Sequence, residues 1–213
     1  MKKIFYVIIT VAVLMVVSCE QKAKTPAEVA LENYKAVLEK MIAFDGDSAE
    51  LWALDNEYSD AFKEFKMHVY ESEYDEKIVE DMDSLFQVAG KRASLHFTVM
   101  DFNATCPKKE GVGVILENVS YNSSGNIFKF NYLVDTESML MIGKEKLLAN
   151  IDSFVKTMME EKQWLNRTLG ILEDVVRAKA TLVYHLHTEG GEFTDIEFTP
   201  SEIEEILIRY EVD

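Results

Sequence analysis

The spacing of apolar residues changes near residue 110, and this change limits the folds that the chain can adopt. Between residues 26 and 90, apolar side chains recur every three or four residues, which is typical of amphipathic helices. From residue 111 onward, short alternating segments are separated by turns rich in Asn, Ser and Gly, which is typical of β-hairpins. The sequence therefore predicts an α+β fold that begins with helices.

The helical part begins with a strong start signal. Thr25-Pro26-Ala27-Glu28 combines a capping box with proline at the first helical position. A second helix is expected to begin at Asp47, and a third to run from about residue 75 and end at Gly90. The apolar spacing of residues 92–104 fits either a strand or a helix.

Two hairpins are predicted in the second half, separated and followed by helices. The first joins residues 111–121 to a strand that begins at Ile127, and the second joins residues 180–188 to 192–199 through Gly190-Gly191. Because strands joined in hairpins pair antiparallel, we expect an antiparallel sheet of two hairpins. The helices are expected at residues 144–162, at residues 165–176, and after a second capping box, Thr199-Pro200-Ser201-Glu202.

The first nineteen residues have a pattern of their own. Lys2 and Lys3 precede an apolar run at residues 4–17 that only Thr10 interrupts. This run is too short to span a bilayer as a helix and is typical of a signal peptide. It ends in Val16-Val17-Ser18-Cys19, which resembles the lipobox of bacterial lipoproteins. The resemblance implies cleavage before Cys19 and attachment of lipid to its sulfur and to the new amino group.

This interpretation divides the chain into four parts. They are a signal peptide at 1–18, a lipidated cysteine with a polar tether at 19–25, an acidic helical segment at 26–90, and an α+β domain at 91–213. In the alternative division, residues 26–213 form one compact unit, and an uncleaved anchor helix is the alternative to the signal peptide. Acyl chains on Cys19 satisfy the two-signal requirement for stable anchoring, so we expect a bacterial envelope lipoprotein in the outer membrane.

A second resemblance rests on short motifs that follow one another over about residues 95–205. The motifs are Asn103-Ala104-Thr105-Cys106-Pro107, residues 116–121, residues 128–134, Thr181-Leu182-Val183-Tyr184 and Ile196-Glu197-Phe198-Thr199-Pro200. Together they resemble a family of small uncharacterised bacterial envelope proteins and lipoproteins. The resemblance implies a hairpin–helix–hairpin domain and favours helix over strand at 92–104. The family has no assigned activity that could be expected of this chain. The chain departs from the family at Leu186, where an aromatic residue is usual, and at residues 108–110.

Composition and charge exclude several classes of protein. The formal net charge is −16, and residues 26–90 contain 17 Asp and Glu residues but only five Lys. A phosphate backbone would repel such a surface, so we expect no nucleic-acid partner. Two cysteines are too few for a disulfide scaffold or a Cys-rich zinc module. The acidic residues are interpreted as a solvated helix face, with a cation site or a surface for a basic partner as the alternative.

His185 and His187 are the strongest candidates for metal ligands, because residues two apart on a strand lie on the same face. A metal site needs a third ligand, and Glu189 and Glu192 are the nearest candidates. We interpret the two histidines instead as polar residues on the outer face of the sheet, opposite a core face that includes Leu186. We therefore predict no metal, no cofactor and no catalytic residue.

Cys106 is the only thiol expected in the mature chain. A nucleophilic cysteine needs a base, and His96 is the nearest histidine in sequence. We interpret Cys106 as a partly buried structural residue. Several aromatic residues are interpreted as core, with a ligand groove as the alternative: Trp52, Tyr58, Phe62, Phe65 and Trp164.

The sequence contains no GxSxG, HExxH, P-loop or GxGxxG motif. We therefore expect a non-enzymatic envelope lipoprotein, held at the membrane through Cys19, that binds an envelope protein or an extracytoplasmic ligand. Two alternatives come from other classes. One is a metal-dependent or hydrolytic envelope enzyme that uses His185 and His187, and the other is a periplasmic inhibitor or immunity-type protein that neutralises a basic enzyme.

Overall fold

The computed structural model describes residues 24–46, 48–70, 76–163 and 166–210. The predicted signal peptide, the lipid site at Cys19 and the tether up to residue 23 lie outside the described residues. Asp47, which is predicted to open the second helix, and Trp164 also lie outside them.

The described residues form an α+β fold with seven α-helices and a five-stranded mixed sheet, so the predicted class is confirmed. The helices are α1 (Pro26–Ala43), α2 (Ser48–Phe65), α3 (Glu76–Asn103), α4 (Thr136–Met141), α5 (Lys144–Glu160), α6 (Arg167–Arg177) and α7 (Pro200–Tyr210). A π-helical segment, Lys66–Tyr70, continues α2. The strands are β1 (Lys108–Gly111), β2 (Val114–Asn122), β3 (Ile127–Val134), β4 (Thr181–His187) and β5 (Phe193–Phe198).

Local hydrogen bonds begin α1 and α7 where the sequence predicts. The Glu28 N–H donates to Thr25 Oγ1 at 3.2 Å, and the Thr25 N–H donates to Glu28 Oε2 at 2.7 Å. At α7, the Glu202 N–H donates to Thr199 Oγ1 at 3.3 Å, and the Thr199 N–H donates to Glu202 Oε2 at 2.8 Å. Both boxes satisfy backbone donors that have no acceptor within the first turn.

Helix α3 continues through Gly90 to Asn103, so the predicted helix end at Gly90 is wrong and residues 92–103 are helical. Glycine inside a helix costs roughly 0.5–1 kcal/mol relative to alanine. Burial of the flanking residues Ala89, Ala93 and Leu95 stabilises the continuous helix against that cost. The division proposed at residues 90 and 91 therefore falls inside one helix.

The strands are ordered β1-β2-β3-β4-β5 across the sheet. β2 pairs with β3 and β4 with β5 in antiparallel orientation, but β3 and β4 pair parallel. The prediction of an antiparallel sheet is therefore wrong at the centre. Helices α4, α5 and α6 form the crossover that parallel neighbours require. The apolar pattern also did not predict β1, which pairs with the start of β2.

Two hydrophobic clusters meet at α3. The helical cluster joins α1, α2 and the first half of α3, and the sheet cluster lies between one face of the sheet and the second half of α3 with α5, α6 and α7. The fully buried side chains of the sheet cluster include Leu95, Leu116, Phe128, Leu169, Leu182, Phe198 and Ile203. Alternate strand residues therefore face the helices, as the hairpin pattern predicts.

Asn103 joins the end of α3 to an irregular part of β2. Its Nδ2 donates to the Val119 carbonyl at 2.9 Å, and its Oδ1 accepts from the Val119 N–H at 2.8 Å. The register of β2 against β3 shifts between Leu116 and Asn118, and β1 pairs only with residues 114–116 of β2. Asn103 thus supplies a donor and an acceptor beyond the end of β1.

Replacing Asn103 with Ala should lower the free energy of unfolding by about 1–3 kcal/mol, because the Val119 backbone groups lose both partners. Urea unfolding followed by circular dichroism measures this change. The matched control is Asn56→Ala, since exposed Asn56 donates, within the described part of the chain, only to the Trp52 carbonyl one turn earlier in α2. We expect the control to change stability by less than about 0.5 kcal/mol. Equal losses in the two variants would contradict this role of Asn103.

Candidate functional site

The sheet face opposite the sheet cluster is called here the open face. Its side chains include Asn118, Ser120, Phe193, Asp195 and Glu197, all of which are exposed. Their exposure shows that the described helices leave most of this face uncovered, although Val183, between Lys129 and Glu197, is buried. Side chains on the open face are held in fixed register by the strands and remain accessible to a ligand.

Four polar side chains form a row across the open face. Asn118, Asn131, His185 and Asp195 are successive cross-strand partners on β2, β3, β4 and β5. Asn131 Nδ2 donates to Asn118 Oδ1 at 2.7 Å, and His185 Nδ1 lies 2.6 Å from Asp195 Oδ1. The row therefore consists of two hydrogen-bonded pairs.

His187 lies beside this row, on the same face as His185. Its Nε2 lies 2.8 Å from Oε2 of Glu117, which belongs to β2, two strands away. The register shift in β2 places Glu117 and Asn118 one after the other on the open face, where regular alternation would separate them. The centroids of the two imidazole rings are 5.7 Å apart.

These side chains line a shallow depression of about 520 Å³. Its lining residues are Glu117, Asn118, Asn131, His185, His187, Gly191 and Phe193. The ring of Phe193 lies 5.9 Å from that of His185, and the residue is 70% exposed. The depression therefore combines hydrogen-bonding groups with an accessible aromatic ring, as ligand sites commonly do.

The structure does not bring Glu189 to the two histidines. Glu189 lines a second depression of about 390 Å³, beside the turn between β4 and β5. Among the residues that the structure describes, no group of three or more His, Cys, Asp or Glu side chains is placed to hold a metal ion. His185 and His187 each have a carboxylate partner instead.

Sequence reasoning missed both carboxylate partners. A two-residue turn at Gly190-Gly191 would pair His185 with Ile196. In the structure the Thr188 N–H donates to the Glu192 carbonyl, so the loop contains three residues, with Gly191 at φ +84°. This loop pairs His185 with Asp195. Considering a three-residue loop at Gly190-Gly191 would have paired His185 with Asp195 from the sequence. No local signal in the sequence identifies Glu117 as the partner of His187.

Cys106 and His96 have different neighbours. His96 is buried, and its Nε2 lies 3.1 Å from the Phe44 carbonyl and 3.0 Å from Ser123 Oγ. Cys106 packs partly buried against the sheet cluster. Burial, with a smaller effect of Glu110, raises the pKa of the Cys106 thiol and disfavours the thiolate that a nucleophile needs.

The aromatic residues of α2 pack mainly into the helical cluster. The rings of Tyr58, Phe62 and Phe65 lie 6.1, 5.7 and 4.5 Å from that of Tyr34 in α1. Trp52 differs, since it is 55% exposed and contacts Phe97 edge-on at 5.1 Å. Phe65 is buried and Tyr58 is partly buried in the helical cluster, whereas Phe62 is 38% exposed. The core interpretation therefore agrees with Tyr58 and Phe65, and not with Phe62 or Trp52.

Comparison of the chain with protein-family models, with curated proteins and with solved structures finds no match. The two resemblances stated from the sequence therefore stay predictions. In the described part of the chain, no helix has the length and apolar character needed to cross a membrane.

The burial of His96 predicts a pH dependence of stability. Burial is the main cause that lowers the pKa of His96 in the folded state below 6.5, its ordinary value. As the pH falls below about 6.5, the unfolded chain takes up a proton that folded His96 does not. Stability should therefore fall by up to about 1.4 kcal/mol per pH unit, until the pH reaches the lowered pKa.

Urea unfolding of the wild type and of His96→Gln between pH 5 and 7.5 measures this contribution. The glutamine side chain can still donate to the Phe44 carbonyl but does not titrate, so the variant should lose this part of the pH dependence. Asn56→Ala, which removes an exposed side chain that does not titrate, is the control and should retain the wild-type slope. The same slope in the wild type and in His96→Gln would contradict the prediction.

Proposed function

We propose that the chain is a membrane-anchored bacterial envelope lipoprotein whose folded part is a non-enzymatic binding module. The open face of the sheet carries this proposal. It holds a register-aligned polar row and an accessible aromatic ring around a depression, and such features suit recognition of a ligand or of an envelope protein. We also propose that the α+β part is related to the small envelope proteins with a hairpin–helix–hairpin domain that its sequence motifs resemble.

The anchoring part of the proposal is supported by the N-terminal sequence. Lys2 and Lys3, the apolar run at residues 4–17 and the Ser18-Cys19 pair occur in the order of a lipoprotein signal peptide. In this proposal the lipid on Cys19 holds the folded part at the outer membrane. The tether to the start of α1 is short, because Pro26 is seven residues from Cys19.

The enzyme alternative would use His185 and His187. In the structure each ring is bonded to one carboxylate, and the described residues place no third metal ligand beside them. A catalytic zinc site commonly uses three protein ligands and an activated water. No contact in the described residues specifically favours the inhibitor alternative.

Replacing Cys19 with Ala should abolish labelling of the protein by radioactive palmitate in the bacterial cell. The protein should also move from the membrane fraction to the soluble fraction, because its acyl chains are lost. Cys106→Ala is the matched control and should keep both the label and the membrane association. Membrane association of Cys19→Ala equal to that of the wild type would exclude lipid anchoring at this residue.

A further inference from the structure

We propose that His185 and His187 on the open face form a binding site for one divalent transition-metal ion, with Cu²⁺ preferred over Zn²⁺. This inference rests on one part of the proposed function, namely that the open face binds a ligand, and it names the class of that ligand. Lipid anchoring at Cys19 is measured by different experiments, so either idea can fail while the other stands.

The hydrogen bonds of the two histidines determine which ring nitrogens can bind a metal. His185 is bonded through Nδ1 to Asp195, and His187 is bonded through Nε2 to Glu117. A carboxylate accepts, so the proton of each neutral imidazole lies on the bonded nitrogen. The lone pairs are then on His185 Nε2 and His187 Nδ1, and metal ligation requires this neutral form.

Each carboxylate is bonded to the ring nitrogen that would not contact the metal, which is the usual position of a hydrogen-bond partner of a metal-binding histidine. A metal-binding histidine usually donates its other N–H to a carboxylate, a carbonyl or water, which orients the ring and raises the basicity of the ligating nitrogen. Among the described residues, the structure shows no hydrogen bond to the remaining nitrogen of either ring. The side chains of His185 and His187 are 26% and 29% exposed, and both residues line the depression.

The two rings are held from opposite sides of β4. Asp195 lies on β5, on one side, and Glu117 lies on β2, beyond β3 on the other side. Since the two nitrogens of an imidazole point to nearly opposite sides of the ring, the unbonded nitrogens are turned away from these outer strands. The ring centroids are 5.7 Å apart, so a shared metal ion requires the two side chains to rotate until both nitrogens reach the bond length of about 2.0–2.1 Å.

The charge of the depression favours a cation. With both imidazoles neutral, Asp195 and Glu117 leave two negative charges on the partners of the histidines. The described residues that line the depression include no lysine or arginine. A positive ion bound between the rings would therefore be attracted and not repelled by its surroundings.

The coordination would be incomplete and open. The described residues supply no group of three candidate ligands, so water or a donor from a bound partner would fill the other positions. For a site with imidazole ligands, affinity rises towards Cu²⁺ and is lower for Zn²⁺. We therefore infer exchangeable binding of one ion, in contrast to the closed coordination of a structural zinc site.

Titration of the full chain with CuCl₂ or ZnCl₂, followed by calorimetry, tests the proposal. We expect one high-affinity Cu²⁺ per chain, at least tenfold weaker Zn²⁺ binding, and an electron paramagnetic resonance spectrum with splitting from two imidazole nitrogens. His185→Gln and His187→Gln should each weaken Cu²⁺ binding at least tenfold and remove one nitrogen from the spectrum. Glu117→Gln, which leaves both ligands in place, should weaken binding about tenfold.

His68→Gln is the matched control, because it removes a histidine from the helical part of the chain. It should leave Cu²⁺ binding unchanged. Equal Cu²⁺ affinity in the wild type and in the His185→Gln, His187→Gln double variant would overturn the proposal, as would an equal loss in His68→Gln. Nuclear magnetic resonance of the wild type provides a test without variants. Zn²⁺ should shift the imidazole signals of His185 and His187, and shifts only at His68 or His96 would also overturn the proposal.

Discussion

The packing of helix α3 against both hydrophobic clusters is the constraint on which the rest of the fold depends. Its first half contributes Met82, Ala89 and Ala93 to the helical cluster, and its second half buries Leu95 in the sheet cluster. Because an α-helix is stiff, one continuous α3 holds the N-terminal helices in a defined position relative to the sheet. The acidic helical segment and the α+β part therefore share a structural element.

Polar contacts with α3 support this arrangement. Lys91 Nζ lies 2.7 Å from Asp174 Oδ1 on α6, and Ser94 Oγ donates to Asp174 Oδ2 at 2.5 Å. Arg92 donates to the Ile42 carbonyl at the end of α1 at 3.0 Å. The bonds are partly buried, where unsatisfied polar groups would be costly, so they restrict how α1 and α6 can shift against α3.

Packing the helices on one side of the sheet determines where a ligand can bind. The sheet cluster occupies the face that α3, α5, α6 and α7 cover, and the open face carries the polar row with both histidines. Alternation along β4 correctly predicted that His185 and His187 lie on the face opposite Leu186. It could not predict their carboxylate partners, because Asp195 depends on the length of the loop after β4 and Glu117 on a register shift in β2.

The sequence by itself determined the features that depend only on residues close together in the chain. The capping boxes at Thr25 and Thr199, the strand alternation and the α+β class all depend on residues a few positions apart. Only the tertiary structure decided the continuity of α3 through Gly90 and the parallel pairing of β3 with β4. Those features depend on side chains from distant elements being buried together, and the energy of that burial exceeds the weak local preference of a glycine or a turn. The pairing of Glu117 with His187 has the same origin, since it joins residues 70 positions apart across a parallel strand pair.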